Sequence, residues 1–294
     1  MKLLITGTTG LVGRHLLPKL LLKDHKILEL TRDIERSEAL YDEKTQKVLV
    51  SDSCRKITEK IKEFGPDIVI HLAAHISPKD DPDTMKRLLE SNVFFLCKVL
   101  NSIKGSETKL FINTGTFAEY FRGDGQLDPA YLYAATKTAS RFFVKYYSKV
   151  NNYNEVTVIP YTIYGGNEKQ KKIIDIIQDS MSSPNKVDLS PGDQVLDFIH
   201  VDDVADFYVH IVENYKSIDN GSTFKLGSGR GTTLRELSNL MESISGKKTN
   251  INWGGKPYRK SDVHYAVADT SDLRKIGWTH SIDLGSYIRD KIHN

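Results

Sequence analysis

Short β-branched runs and longer helix-spaced apolar patterns alternate along the first two-thirds of the chain. Lys2–Thr6, Lys26–Thr31, Val48–Ser51, Ile68–Leu72, Lys109–Asn113 and Val156–Ile159 read as strands buried in a parallel sheet. Between them, Gly13–Lys23, Cys54–Phe64, Thr84–Lys104 and Leu132–Val150 carry apolar residues at helical spacing. Gly65-Pro66-Asp67 stops a helix ahead of the fourth strand. This alternation predicts an α/β fold, a doubly wound parallel sheet with right-handed crossovers.

Past Gly165 the rhythm changes. A helix pattern at Lys172–Ser182, a turn at Ser183-Pro184-Asn185 and the segment Gln194–His200 come first. Helix Asp202–Asn214 and strand Thr223–Leu226 predict a return to the main sheet. From Gly227 onward one amphipathic helix, Leu234–Ser245, is followed by Gly/Pro-rich turns and a short C-terminal helix. The expected division is a larger domain of 1–164 plus 196–226 and a smaller α/β domain of 165–195 plus 227–294. The crevice between them is the expected ligand site.

Composition acts mainly by exclusion. The 294 residues suffice for a large core, and 39% hydrophobic with 27% charged residues is an ordinary globular mixture. No apolar run approaches the ~18–20 residues that span a bilayer, so no membrane partner is expected. A net charge of +3 gives no reason to expect nucleic acid. Met1–Ile5 runs straight into a glycine-rich segment without a signal-peptide pattern, which suggests a cytoplasmic protein. Cys54 and Cys97 have neither disulfide-framework nor metal-ligand spacing. His71, His75 and His200 are scattered, with no metal spacing. His71 and His200 are expected to pack at strand ends, Asp202-Asp203 to cap a helix, and Trp253 and Trp278 to fill the small domain.

The first chemistry lies in Thr6-Gly7-Thr8-Thr9-Gly10-Leu11-Val12-Gly13, between the first strand and the first helix. Glycines there allow a tight turn and close approach of a pyrophosphate, which the open helix N-terminus attracts. Gly7, Thr9, Gly10, Leu11 and Val12 are the expected contacts to a dinucleotide. The second strand ends in Thr31-Arg32, where an acid would hold the 2′-hydroxyl of NAD. Arg32 can instead fork onto the 2′-phosphate of NADP. The expected cofactor is therefore NADP(H).

The second chemistry is Tyr133-Ala134-Ala135-Thr136-Lys137. Four residues apart on a helix, phenol and ammonium share a face, and the ammonium is expected to lower the phenol's pKa. The preceding strand ends in Asn113-Thr114-Gly115-Thr116, placing hydroxyls at a carboxyl end that faces the crevice. Such a hydroxyl can steady a substrate oxygen while the phenol exchanges a proton.

With these pieces in order, the chain resembles the extended short-chain dehydrogenase/reductases, also called the NAD-dependent epimerase/dehydratase family. The matching segments are Thr6–Gly13, Asp67–Ala74, Asn92, Asn113–Thr116, Tyr133/Lys137, Tyr164-Gly165 and Asp197–Val204. The resemblance implies a Rossmann sheet and a catalytic set of Thr114, Tyr133 and Lys137. It places Asp52 and Ser53 at the adenine, and Leu72, Ala73 and Ala74 along the cofactor. Asn92, Tyr161, Thr162 and Ile163 join them on the cofactor side. His75, Thr116, Tyr164, Arg230 and Arg259 are the expected substrate contacts, the arginines for a diphosphate. It also implies a homodimer through adjacent helices, which the stripe Phe142, Phe143, Tyr146, Tyr147 suits.

Family dehydratases carry an Asp-Glu pair directly after the catalytic threonine. Here Gly115-Thr116 follows Thr114, and Glu119 lies too far along for that role. The short strings around Thr114 and Tyr133 look most like nucleotide-diphospho-4-keto-6-deoxyhexose reductases, CDP-abequose and CDP-paratose synthases among them. These make deoxysugars for surface polysaccharide such as lipopolysaccharide O-antigen. The expected reaction is NADPH-dependent reduction of the 4-keto group of a CDP- or dTDP-linked sugar. The alternatives are an epimerase with tightly held NAD, a non-catalytic NADP sensor, and a reductase of a non-sugar carbonyl.

Overall fold

Seven parallel strands form the central sheet. They are β1 (Lys2–Thr6), β2 (Lys26–Thr31), β3 (Gln46–Leu49), β4 (Ile68–His71), β5 (Leu110–Thr114), β6 (Asn154–Pro160) and, from later in the chain, β10 (Thr223–Leu226). Their order is β3-β2-β1-β4-β5-β6-β10. The computed structural model describes residues 1–41, 44–123, 125–166 and 171–293. Strand order reverses direction between β1 and β4, which opens a crevice at their carboxyl ends.

Period-two alternation along the strands divides the core. Leu3, Ile5, Ile68, Ile70, Leu110 and Ile112 meet α1 (Leu11–Leu21) and α8 (Val201–Glu213) on one face. Leu4, Leu28, Val69 and Phe111 meet α3 (Cys54–Phe64), α5 (Phe95–Ser102) and α6 (Leu132–Asn151) on the other. Between β2 and β3 runs α2 (Ile34–Tyr41), whose start Asp33 marks by accepting the Arg36 N–H at 2.9 Å.

The long helix expected over 84–104 is broken in two. It comprises α4 (Pro82–Leu88), a π-helical turn (Leu89–Phe94) and α5. Asp81 caps α4 and Pro82 takes its first position. The Asn92 carbonyl, on the π turn, accepts from the Ser140 hydroxyl of α6 at 2.9 Å.

The smaller part of the molecule is built on a second sheet of β7 (Thr162–Tyr164), β9 (Val195–His200), β11 (Gly231–Thr233) and β13 (Tyr265–Ala266). A two-stranded ladder joins β8 (Val187–Leu189) and β12 (Ile251–Trp253). Their core contains Tyr164, Phe198 and residues of α7 (Ile173–Ser180), α9 (Leu234–Ser245) and α11 (Leu284–His293). The boundary expected at 196 falls inside β9, which pairs with β7, β11 and β13, while α8 and β10 return to the main sheet.

Two packing expectations are corrected. Trp278, which follows the short α10 (Ser271–Lys275), lies in the main core, edge-on to Phe207 at 4.9 Å; only Trp253 is in the small domain. Asp202 and Asp203 do not cap α8, because His200 does so, accepting the Asp202 N–H at 3.2 Å. Asp203 instead accepts from the Ser281 N–H and hydroxyl and the Ile282 N–H, pinning the C-terminal segment. Among the described residues no helix is long and apolar enough to cross a membrane.

Candidate active site

The crevice is a cleft of about 750 Å³ whose floor is the turn between β1 and α1. Gly7 has φ +76°, and a Cβ there would stand 2.6 Å from the Ala73 nitrogen on the neighbouring strand end. A Cβ at Gly13 would strike the Gly7 carbonyl. Gly10 starts α1 without a side-chain cap, so Leu11 and Val12 present their N–H groups at the positive end of the helix. This cradle fits a dinucleotide pyrophosphate. Gly7, Thr9 and Gly10 line the cleft as expected. Thr8 also lines it, and its carbonyl accepts from the Tyr41 hydroxyl at 2.7 Å. Buried Glu29 underpins this corner by accepting from the Ser37 and Thr45 hydroxyls.

At the end of β2, Thr31, Arg32 and Asp33 line the cleft, and so does Arg36. Sequence spacing missed Arg36; helix α2 brings it back one turn to within 3.4 Å of the Thr9 carbonyl. Asp33, the acid at the end of β2, accepts the Arg36 N–H.

The opposite wall holds Leu72, Ala73, Ala74 and His75. Asn92 stands behind them, 1% exposed. Its amide accepts from the His75 N–H at 2.7 Å and donates to the His75 carbonyl and the Thr136 hydroxyl, both at 3.0 Å. Its role is thus to clamp the His75 loop to α6, and the expectation of direct cofactor contact is corrected. Val50, not Asp52 or Ser53, faces the cleft. Ser53 is turned to cap α3 and Asp52 pairs with Lys56 at 3.0 Å.

Tyr133 and Lys137 occupy one face of α6, 6% and 2% exposed. Thr114 continues the alternation of Leu110 and Ile112, so it faces α8, and its hydroxyl lies 2.6 Å from that of Tyr208. Burial, together with Tyr131, Glu119 and Tyr208, pushes the Tyr133 phenol well above its usual range. The expectation of an acidified phenol is corrected: burial disfavours the phenolate, and the Glu119 carboxylate adds to that. Burial also pushes the Lys137 ammonium down to about 8, against the pull of Glu119. The same burial, helped by the Lys137 charge, drives the His71 imidazole down to about 3, leaving it neutral. Asn113, on β5 beside His71, is fully buried with neither amide atom paired among the described residues.

The remaining predicted positions scatter. Thr116 caps a 3₁₀ turn (Phe117–Glu119) at the end of β5 and is 8% exposed. Tyr161 stacks on Phe117 with ring centres 5.7 Å apart, Thr162 has a buried hydroxyl without a partner among the described residues, and Ile163 packs against the main core. Tyr164 does not reach the cleft, which corrects its assignment to substrate. It is 2% exposed among Tyr287 and His200, and its hydroxyl donates to the Ile282 carbonyl at 3.3 Å. Arg230 lines a separate cavity of about 300 Å³ with His280 and Asp283. The turn before it is held away by Asp197, which accepts the Ser228 and Gly229 N–H groups at 2.8 Å. Arg259 is exposed on a turn closed by Asp262 and lines neither cavity. Arg36 and Tyr208 had no sequence signal beyond residue type, because long-range packing alone places them.

Known proteins agree with this architecture. The chain is 28% identical to a CDP-abequose synthase of Yersinia pseudotuberculosis, covering 99% of each. It is 23% identical to a UDP-glucose 4-epimerase of Mycolicibacterium smegmatis, covering 98% of this chain and 96% of the relative. Among solved structures, the complex of Thermus thermophilus UDP-glucose 4-epimerase with NAD superposes with a TM-score of 0.83 at 20% identity, covering 100% of this chain and 98% of the other. Residues 3–227 match the NAD dependent epimerase/dehydratase family. With the glycine cradle, the seven-stranded sheet and Tyr133 and Lys137 buried on one face of α6, the chain belongs to the NAD dependent epimerase/dehydratase family.

Proposed function

We propose that this enzyme reduces the 4-keto group of a nucleotide-diphospho-4-keto-6-deoxyhexose, CDP- or dTDP-linked, with NADPH, in the building of deoxysugars for surface polysaccharide. The observation that carries the reading is the pair of guanidinium side chains, Arg32 and Arg36, on the cleft wall at the end of β2. A 2′-phosphate suits two such forks, whereas the 2′-hydroxyl of NAD calls for a carboxylate, and Asp33 is engaged by the helix start. The near full-length likeness to a CDP-abequose synthase supports the sugar class.

When bound, NADPH supplies a hydride to the carbonyl carbon. Tyr133 holds the proton that the forming alkoxide takes, and the environment that keeps the phenol protonated suits donation. Thr114, joined to Tyr208, orients a hydroxyl at the strand end to steady the same oxygen. Lys137 supplies the positive charge beneath Tyr133 and a donor for the cofactor's ribose. The sugar lies toward the small domain, with His75 at the cleft wall. A homodimer forms through α6 and the π turn, where Phe142, Tyr146 and Phe94 are 63%, 61% and 70% exposed.

NADPH oxidation across CDP-, dTDP- and GDP-4-keto-6-deoxyhexoses tests the reaction, with product configuration at C4 read by NMR. Tyr133→Phe is expected to lose about 10²–10⁴-fold in turnover. Removing both Arg32 and Arg36 as alanines is expected to weaken NADPH binding about 10–100-fold and leave NADH binding nearly unchanged, as for lost charge-assisted hydrogen bonds. Purified protein that retains NAD and interconverts UDP-hexoses without net oxidation of NADPH would place it instead with the 4-epimerases.

A further inference from the structure

We propose that Lys98 is a positioning residue for the dinucleotide: from α5 its ammonium ties down the loop after β3, and so sets the wall of the cleft against which the cofactor's purine lies. The inference rests on the cleft being the dinucleotide site. It is independent of which sugar is reduced and of whether the cofactor carries a 2′-phosphate.

Among the described residues β3 is the edge strand of the sheet, so no further strand pairs with the chain as it leaves Leu49. The Val50 N–H donates to the Thr31 carbonyl at 2.8 Å, one step past the ladder of β2 and β3. The Asp52 N–H then turns back to the Leu49 carbonyl at 3.1 Å. Two carbonyls of this turn, those of Val50 and Asp52, both accept from Lys98 Nζ, at 2.8 and 3.0 Å. The Asp52 carboxylate pairs elsewhere, with Lys56 on α3 at 3.0 Å. An ammonium shared by two backbone carbonyls makes stronger hydrogen bonds than a neutral donor, and it holds a short segment at two points.

The segment held in this way bears on the cleft. Val50 lines it, together with Leu30 on β2 and with Phe95, which sits three residues before Lys98 on α5. Val50 packs against the apolar core that contains Leu30 and Phe95. With the pyrophosphate on the cradle after β1 and the adenosine ribose at the end of β2, a dinucleotide continues toward β3, and its purine meets this apolar wall. Leu30 is fixed by its strand and Phe95 by its helix. Val50 lies past the end of its strand, and its carbonyl is held by Lys98. The hydrogen bond from Val50 to Thr31 carries the same hold to the strand end that Arg32 follows.

Fluorescence titration of the protein with NADH and with NADPH tests this. Lys98→Met keeps an unbranched stem and removes the donors. It is expected to weaken whichever dinucleotide the wild type binds by about 5–50-fold, as for lost charge-assisted hydrogen bonds. Removal of Arg32 and Arg36 separates NADPH from NADH, whereas removal of Lys98 acts on the purine common to both, so the two readings fail separately. Lys98→Arg keeps a charged donor for the carbonyls and is expected to restore most of the affinity. Hydrogen exchange of the Val50 and Asp52 amides in the cofactor-free protein is expected to quicken in Lys98→Met and to return toward wild type in Lys98→Arg. A lysine that only stabilised the fold would not single out these two amides. Unchanged affinity for both dinucleotides in Lys98→Met overturns the proposal, and so does a loss of affinity without faster exchange at Val50 and Asp52. Should that variant not fold, Lys98→Gln is read by the same two outcomes.

Discussion

At the scale of residues, the site is governed by dehydration. Tyr133 and Lys137 are driven in opposite directions by one cause: burial favours the neutral form of each, a protonated phenol and an unprotonated amine. This has two consequences of opposite sign. The Lys137 ammonium is present below about pH 8 and lost above it, so cofactor binding and turnover are expected to decline as pH rises through about 8. For stability, the unfolded chain keeps this proton to near 10.5 whereas the folded chain releases it near 8. Between those values the unfolded state binds more protons, so the lysine's contribution to stability rises with pH. Urea unfolding of wild type and Lys137→Met at pH 7.5 and 9.5 checks this. The stability of wild type relative to the variant should improve at the higher pH while wild-type activity falls. A difference independent of pH would mean that the amine is solvated.

At the scale of elements, the π turn is the feature that joins the cleft wall at His75 to α6. On this turn the Asn92 carbonyl accepts from the Ser140 hydroxyl and the Asn92 amide bridges His75 and Thr136. Asn92→Ala leaves the buried groups of His75 and Thr136 unmatched, and is expected to destabilise the protein by about 2–4 kcal/mol. Chemical denaturation measures this, and NADPH titration of the folded variant should show weaker binding, because His75 lines the cleft. Helix periodicity detected the apolar stripe of this segment but carries no mark of a one-residue expansion. Asn92 was therefore legible as a notable residue and not as a clamp. Thr31-Arg32 was legible for the same reason that Arg36 was not. Arg32 follows a strand end directly, whereas Arg36 returns to the cleft only because α2 starts at Asp33.

At the scale of the whole molecule, α6 and the π turn that packs on it both leave large apolar side chains exposed. Phe142, Tyr146 and Val150 on α6 and Leu89 and Phe94 on the turn are exposed, while Tyr147 packs inward against the core. Large apolar side chains exposed together on neighbouring elements are expected to be covered by a second copy. Phe142→Glu combined with Tyr146→Glu should halve the mass measured by light scattering without lowering helix content; an unchanged mass in wild type and variant, equal to one chain, would rule out the dimer. The sequence by itself determined the parallel sheet, the glycine cradle and the Tyr133/Lys137 face, because each depends on local period, turn chemistry or a spacing of four on one helix. Tertiary structure alone decided the rest: that Thr114 meets Tyr208, that Tyr164 and Arg230 turn away from the cleft, and that Glu119 meets Arg141. These are meetings between residues distant along the chain, set by which strand neighbours which and which face each presents. No local pattern encodes them, and the charge states of the buried Tyr133 and Lys137 depend on such packing.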